Sequence, residues 1–360
     1  MIRLLTGLPR PTGIGEFTVG CARALGDKAS IYYHREMTPS EYNKTQEEYR
    51  SISSEAIHYF RLKTLKPDFA ATTHITWEGF GPIFGKRTKL LSVHHAILPE
   101  DQWSHRRESS LKKKVAYATV RHFYRMLGSV GTPLLVPSKQ TRDDLVYQYN
   151  VPESLIHVLP NGLDTDFFTP GDRTEARRVL DIPQESFVVL RLSNDDGRKN
   201  TNCVVNVWRA MQRQDPSTML VQLGPSPQLS EMLARGGLGG VRLLNDIPAE
   251  QLRALYRASD VIFHPSLTEG FSYAVLQAMS CGVPVVTSNL PVFEDELGPY
   301  YDGLSPYDAA GFFQQLERIR ASRRDGPILS LREHVQDHFS LDQFGQGLLK
   351  VYSEVGLTLE

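Results

Sequence analysis

Residues 265–288 read Pro265-Ser-Leu-Thr-Glu-Gly-Phe-Ser-Tyr-Ala-Val-Leu-Gln-Ala-Met-Ser-Cys-Gly-Val-Pro-Val-Val-Thr-Ser288. The stretch divides into a strand end, an acidic loop, a helix and a second strand. From Phe271, the apolar residues Phe271, Ala274, Val275, Ala278 and Met279 follow the i, i+3, i+4, i+7, i+8 spacing of one buried helical stripe. Gly282 is expected to stop that helix, and Pro284 keeps it from restarting. Glu269 stands just before the first turn, where unpaired backbone N–H groups and the positive end of the helix dipole favour an anion or an electron-rich group. Gln277 follows Glu269 by eight positions, roughly 12 Å along a helix, about the reach from a sugar across a diphosphate to a ribose.

Short apolar runs of the same kind extend in both directions. In the first half they are 2–5, 30–33, 69–73, 90–94, 134–137 and 156–159. In the second they are 187–192, 219–223, 241–244, 261–264 and 284–288. Helical patterns alternate with them, which predicts two open, doubly wound α/β sheets rather than a barrel or a sandwich. A chain of 360 residues exceeds a comfortable single core and suits two domains. The turn-rich, aperiodic segment Leu159-Pro-Asn-Gly-Leu-Asp-Thr-Asp-Phe-Phe-Thr-Pro-Gly171 marks the join. The expected boundaries are 1–163, 164–338 and an amphipathic closing helix within 339–360.

Charged residues at 22% and hydrophobic residues at 41% describe a water-soluble globular chain, and a net charge of −1 gives nucleic acid no electrostatic footprint. The odd, widely spaced Cys21, Cys203 and Cys281 fit neither a disulfide framework nor a zinc site, so the reducing cytosol is the expected compartment. Pro9, Pro11, Gly13 and Gly15 interrupt the opening apolar run before it reads as a secretion signal. No segment approaches the roughly 18 apolar residues that a membrane span needs.

The acidic loop, the helix ending in Ala278-Met-Ser-Cys-Gly282 and the Pro284-Val-Val strand resemble the retaining glycosyltransferases of family 4. The signature of that family is a Glu, seven residues and a second Glu. Here the first acid is Glu269, and Gln277 stands in place of the second. The resemblance implies the GT-B fold, with two Rossmann-like domains facing a central cleft, and transfer of a hexose-type sugar from a nucleotide-sugar donor to an acceptor hydroxyl on a glycan or lipid-linked glycan. It also implies a terminal helix that packs back across the first domain, and no cofactor or metal.

Several further residues carry the same resemblance. Gly13 and Gly15, after the first strand, let a backbone approach a ligand closely, and the family's matching loop lies beside acceptor and donor phosphate. Arg191 and Lys199 match its paired cations, which stabilise a departing diphosphate. Their spacing is longer than usual, so Arg198 competes with Arg191 for the role. His94 matches the histidine placed near the donor sugar, with His95 where an acid is usual. Gly224 and the turn at Asp246-Ile247-Pro248 stand at carboxyl ends of strands, where doubly wound sheets bind ligands, and the family holds the nucleobase by backbone near Ile247. Backbone N–H groups near Phe271 and Ser272 are expected to assist Glu269. Asp164-Thr-Asp166 imitates a metal-binding DxD but falls in the domain junction.

Residues 105–125 hold seven Lys or Arg against the single acid Glu108, interleaved with Val115, Tyr117, Phe123 and Tyr124. This composition suits either a helix lying on an anionic membrane surface, which would make the protein peripheral on the inner face, or a solvated helix face. Two rival functions use the same layout. One is a non-catalytic nucleotide-sugar-binding subunit that supports a related transferase, and the other is a sugar-nucleotide epimerase, a class that lacks the acidic-loop string.

Overall fold

The structure is a computed structural model and describes residues 2–6, 13–33, 57–59, 73–75, 89–94, 111–193, 197–322 and 326–357. The chain forms two compact units, Met1–Asp164 with Phe339–Glu360, and Thr165–His338.

The first unit is built on seven parallel strands, β1 (Ile2–Thr6), β2 (Ala29–Tyr33), β3 (Ile57–Tyr59), β4 (Thr73–Ile75), β5 (Leu90–Ser92), β6 (Leu134–Val136) and β7 (Ile156–Val158). Their order across the sheet is β3-β2-β1-β4-β5-β6-β7, a doubly wound arrangement. Helices α1 (Gly13–Leu25), α2 (Leu111–Val130) and α3 (Lys139–Tyr149) belong to this unit. Strand β3 was not anticipated, and the run expected at 69–73 begins only at Thr73, residues 69–72 lying outside the described residues. Both strands are short, and three residues carry too little alternation to stand out as a strand pattern.

In the second unit, β8 (Val188–Leu192), β9 (Met219–Leu223), β10 (Val241–Leu244), β11 (Val261–His264) and β12 (Val285–Thr287) form a parallel sheet of order β10-β9-β8-β11-β12. The middle strand runs Val188, Val189 and Leu190, all fully buried, as a sheet covered on both faces requires. Its helices are α4 (Arg173–Val179), α5 (Thr201–Gln214), α6 (Pro227–Ala234), α7 (Ala249–Ala258), α8 (Tyr273–Ser280), α9 (Pro291–Leu297), α10 (Ala309–Ser322) and α11 (Leu329–Phe339). Trp208 and Met211 of α5 join Phe263 of β11 and Phe312 of α10 in one core.

The closing helix α12 (Leu341–Glu354) packs in the first unit, against α1. Ser340 caps it by accepting from the Gln343 amide at 3.5 Å. Its buried face of Phe344, Leu348 and Tyr352 enters the core that holds Ile2, Leu4 and Phe17. Burying each such side chain stabilises by about 1.5–3 kcal/mol, which is enough to hold a short helix in place. The approach is close at Gly162, where an added Cβ would lie 2.7 Å from that of Phe344. A polar anchor accompanies the apolar one, since fully buried His74 joins Tyr352 Oη at 2.9 Å and Ser92 Oγ at 2.7 Å. Burial, and then the nearby His94, push the His74 imidazole down to about 3, so it is neutral and serves one partner as donor and the other as acceptor.

Candidate active site

Helix α8 sets the site. It ends as its glycine demands: Gly282 adopts φ +72°, the Val283 amide reaches back to the Ala278 carbonyl at 2.9 Å, and the Gly282 amide to Met279 at 2.8 Å. Its start differs from the sequence expectation. The helix begins at Tyr273, with Phe271 and Ala274 half-buried, while Val275, Leu276, Ala278 and Met279 are fully buried. Ser272 is the cap and accepts from the Val275 amide at 3.4 Å. The Ser272 amide itself donates to Glu296 Oε1 of α9 at 2.6 Å, so this N–H, expected to assist Glu269, already has a partner from the chain.

Glu269 is not the cap of the helix. Its Oε1 takes three donors: the Lys199 ammonium, Ser266 Oγ at 2.8 Å and His264 Nε2 at 3.0 Å. The carboxylate is buried, and burial alone raises its pKa. The Lys199 charge and the His264 hydrogen bond outweigh that and hold it well below the usual carboxylate range. His264 moves down, chiefly through burial and further through Lys199, against the opposing pull of Glu269. The result is a neutral imidazole donating Nε2–H to an ionised Glu269.

Lys199 is held in place by its neighbours. The Leu267 amide donates to the Arg198 carbonyl at 2.7 Å. Asn200, at φ +52°, donates to Pro265 O at 3.0 Å and Pro306 O at 2.7 Å. The Lys199 carbonyl itself accepts from Arg191 Nη2 at 2.9 Å. Of the two rivals for the diphosphate, Arg191 is thus the one turned toward its own chain. Its guanidinium is 1% exposed and also donates to Gln222 Oε1 at 2.6 Å and Thr201 Oγ1 at 3.0 Å. A buried guanidinium needs such partners, so Arg191 supports the Lys199 backbone from within. Arg198 shares the half-buried turn with Lys199.

The other expected residues are dispersed. Gln277 is buried, and its Oε1 accepts from the buried Tyr256 hydroxyl at 2.7 Å. Gly224 follows β9 at φ +102°, and its amide donates to Leu244 at 2.9 Å. Ile247 is half-buried beyond β10. His94 belongs to the first unit, where it follows β5 with its ring edge-on to Phe17 at 4.7 Å. Gly15 lies in the first turn of α1, residues 7–12 falling outside the described residues. His95 and residues 105–110 also fall outside, while Arg121, His122 and Arg125 on α2 are exposed. Asp164 pairs with Arg23 at 2.6 Å. Among the described residues no three His, Cys, Asp or Glu side chains gather as a metal-binding group, and no helix is long and apolar enough to cross a membrane.

Sequence reasoning missed His264, Ser266 and Glu296. The first two had a local signal, since they stand five and three positions before Glu269 on the same strand end. Glu296 had none.

Two sheets of this topology, with an acid and a lysine at the carboxyl ends of the second, define a GT-B glycosyltransferase fold. The profile of Glycosyl transferases group 1 matches residues 172–319, and that of Glycosyltransferase Family 4 matches residues 17–167. The chain belongs to glycosyltransferase family 4. It is 30% identical over 247 residues to the D-inositol 3-phosphate glycosyltransferase of Salinispora tropica, covering 61% of this chain and 50% of that protein. For the enzyme of the same name from Salinispora arenicola the identity is 31% over 248 residues, covering 61% and 54%. The chain spans about half the length of these curated relatives. Among solved structures, Anabaena HepE in complex with UDP-glucose superposes with a TM-score of 0.76 at 16% identity over 98% of this chain and 99% of that one. Sucrose-phosphate synthase from Thermosynechococcus elongatus gives 0.70 at 19% identity, covering 99% and 98%.

Proposed function

We propose that the protein transfers a hexose-type sugar from a nucleoside diphosphate donor to an acceptor hydroxyl, with retention at the anomeric carbon and without a metal ion. The observation that carries this reading is the cluster of Lys199, Glu269, His264 and Ser266. An ammonium has three N–H donors, and Lys199 uses one on Glu269, which leaves two for a diphosphate. Arg198, in the same turn, supplies a second cation in place of Arg191. As the bond from the anomeric carbon to the diphosphate oxygen breaks, its electron pair leaves with the diphosphate, and these cations neutralise the growing charge. The acceptor hydroxyl oxygen bonds to the same face of the sugar, and its proton passes to the departing phosphate oxygen.

Glu269, tied down by three donors, orients the sugar rather than attacking it. Gly224 and Ile247 are assigned to the nucleotide, Gln277 to its ribose, and His94 and Gly15 to the sugar and acceptor side. UDP-glucose is the first donor to test, because HepE binds it. Inositol phosphate heads the acceptors beside glycans and lipid-linked glycans, because the curated relatives are named for it. The experiment is to supply UDP-glucose and an acceptor panel in EDTA and to read the anomeric configuration of the product by NMR. A retained configuration supports the proposal. Inversion, or a strict need for a divalent ion, contradicts it. Donor binding without any transfer favours the subunit reading, and conversion of the donor without acceptor favours an epimerase.

The exposed Arg121, His122 and Arg125 of α2 support contact with an anionic membrane surface, the inner face in a cytosolic protein. Sedimentation with anionic liposomes tests it, salt-sensitive binding being the expected result.

A further inference from the structure

Beneath the acidic loop lies a second carboxyl group that the proposed reaction does not use. Glu296 of α9 is 2% exposed. Its Oε1 receives the Ser272 amide at 2.6 Å, while Oε2 is buried without a hydrogen-bond partner. Thr268 Oγ1, in the residue preceding Glu269, is likewise buried and unpartnered. Helix α9 is seated against the site by Phe293, whose ring meets His264 edge-on at 5.6 Å. From the other side, His334 Nε2 of α11 donates to the Glu296 backbone carbonyl at 3.0 Å.

We propose that Glu296 is the positioning residue of the donor loop, holding residues 268–272 from beneath through the Ser272 amide so that Glu269 keeps its place against Lys199, His264 and Ser266. Among the described residues, Glu296 is the side chain that holds Ser272 N. Losing that tether frees the cap of α8 and the loop that ends in it.

The charges around Glu296 decide its protonation. Facing it are Glu269 on the loop, Lys199 on the turn, neutral His264 across Phe293, His334 on α11 and Asp295 on its own helix. Lys199 is engaged by Glu269. Two carboxylates sharing one cation in a buried space cannot both ionise readily. Burial first, and then Glu269 and Asp295, push Glu296 well above the usual carboxylate range, against the Ser272 hydrogen bond. The two shifts run in opposite directions, favouring the negative charge on Glu269 and the proton on Glu296. A neutral acid tethers Ser272 without adding a second charge where the donor's diphosphate must sit.

The linkage has a definite sign. An acid whose folded pKa lies above its unfolded value is protonated in both states at low pH, and it costs stability progressively as pH rises above the ordinary value of 4.5. Replacement by an amide removes that cost and keeps an acceptor for Ser272.

The test uses the full chain as wild type, Glu296→Gln and Glu296→Ala, first without any donor. Hydrogen exchange at 268–272 should match in wild type and Glu296→Gln, and should be at least about tenfold faster in Glu296→Ala, with α5 and α10 unchanged. Equal protection in Glu296→Ala overturns the tether. Wild-type stability should fall relative to that of Glu296→Gln as pH rises above the ordinary carboxylate value of 4.5. Parallel curves overturn the protonated state, and this comparison decides alone if Glu296→Ala does not fold. The catalytic arm rests on the donor reading: turnover of UDP-glucose should show an alkaline fall in kcat that Glu296→Gln lacks, and the same fall in both overturns the role. If wild type neither binds nor turns over any nucleotide sugar, the donor reading fails while the first two arms remain readable.

Discussion

The ammonium of Lys199 and the Oε1 atom of Glu269 form an ion pair that joins two loops, and the same oxygen also receives Ser266 and His264. Lys199 retains 20% side-chain exposure while Glu269 retains 8%, so the lysine faces outward from the pair. Removing one partner should separate binding from orientation. Lys199→Ala should lower turnover by at least tenfold, about 1.4 kcal/mol in the barrier, and weaken the donor. Glu269→Gln should lower kcat by as much with a smaller change in KM. Steady-state kinetics with UDP-glucose reads both, and near wild-type rates in the two variants would remove these roles.

The ion pair also predicts a response to acid. The folded pKa of Glu269 is depressed, so its contribution to stability is present above the ordinary value of 4.5 and is lost as pH falls through the folded value. Stability measured by denaturant titration should therefore decline on acidification below that ordinary value. Glu269→Gln should lack this part of the slope.

Arg191 is predicted to act through structure. Its guanidinium holds Gln222, Thr201 and the Lys199 carbonyl. Arg191→Lys cannot reproduce a fork of that shape, and leaving the buried Gln222 Oε1 and Thr201 Oγ1 unsatisfied should together cost about 2–6 kcal/mol. Thermal unfolding reads the loss. A stable Arg191→Lys variant with a selectively weakened donor would return Arg191 to the diphosphate.

Gln277 donates nothing to the Tyr256 contact; it accepts the hydroxyl through its carbonyl at 2.7 Å. Tyr256→Phe leaves that buried carbonyl unsatisfied and should cost about 1–3 kcal/mol of stability. A double-mutant cycle with Gln277→Leu should show positive coupling between the two. Independent, additive effects would show that the hydroxyl and the amide serve separate ends.

Much of the fold was legible because its signals are local. Buried runs such as Val188-Val-Leu190 and the Gly282 stop can each be read within a few residues, and together they yield the two doubly wound units. The strands β3 and β4 were obscure or misplaced for the same reason, each being too short to show a period. At the site, Glu269 and Lys199 stood out through motif spacing, and the structure brings them into contact. Sequence could not choose between Arg191 and Arg198, because a cation near a strand end reads alike whether it faces a ligand or its own chain; the pairing of β8 with β9 sets Gln222 beside Arg191. Glu296 was invisible because its chemistry arises from burial beneath a loop many residues earlier in the chain. The cap of α8 likewise passed unread, since the apolar spacing put the helix start at Phe271, whereas Ser272 caps a helix that begins at Tyr273.

The most direct test of the central claim is calorimetric titration of UDP-glucose, in EDTA, into the wild-type chain and Lys199→Ala. The account predicts saturable binding to wild type and at least tenfold weaker binding to the variant, about 1.4 kcal/mol. Equal affinity in the two proteins, or no binding to wild type by UDP-glucose or any other nucleotide sugar, would contradict it.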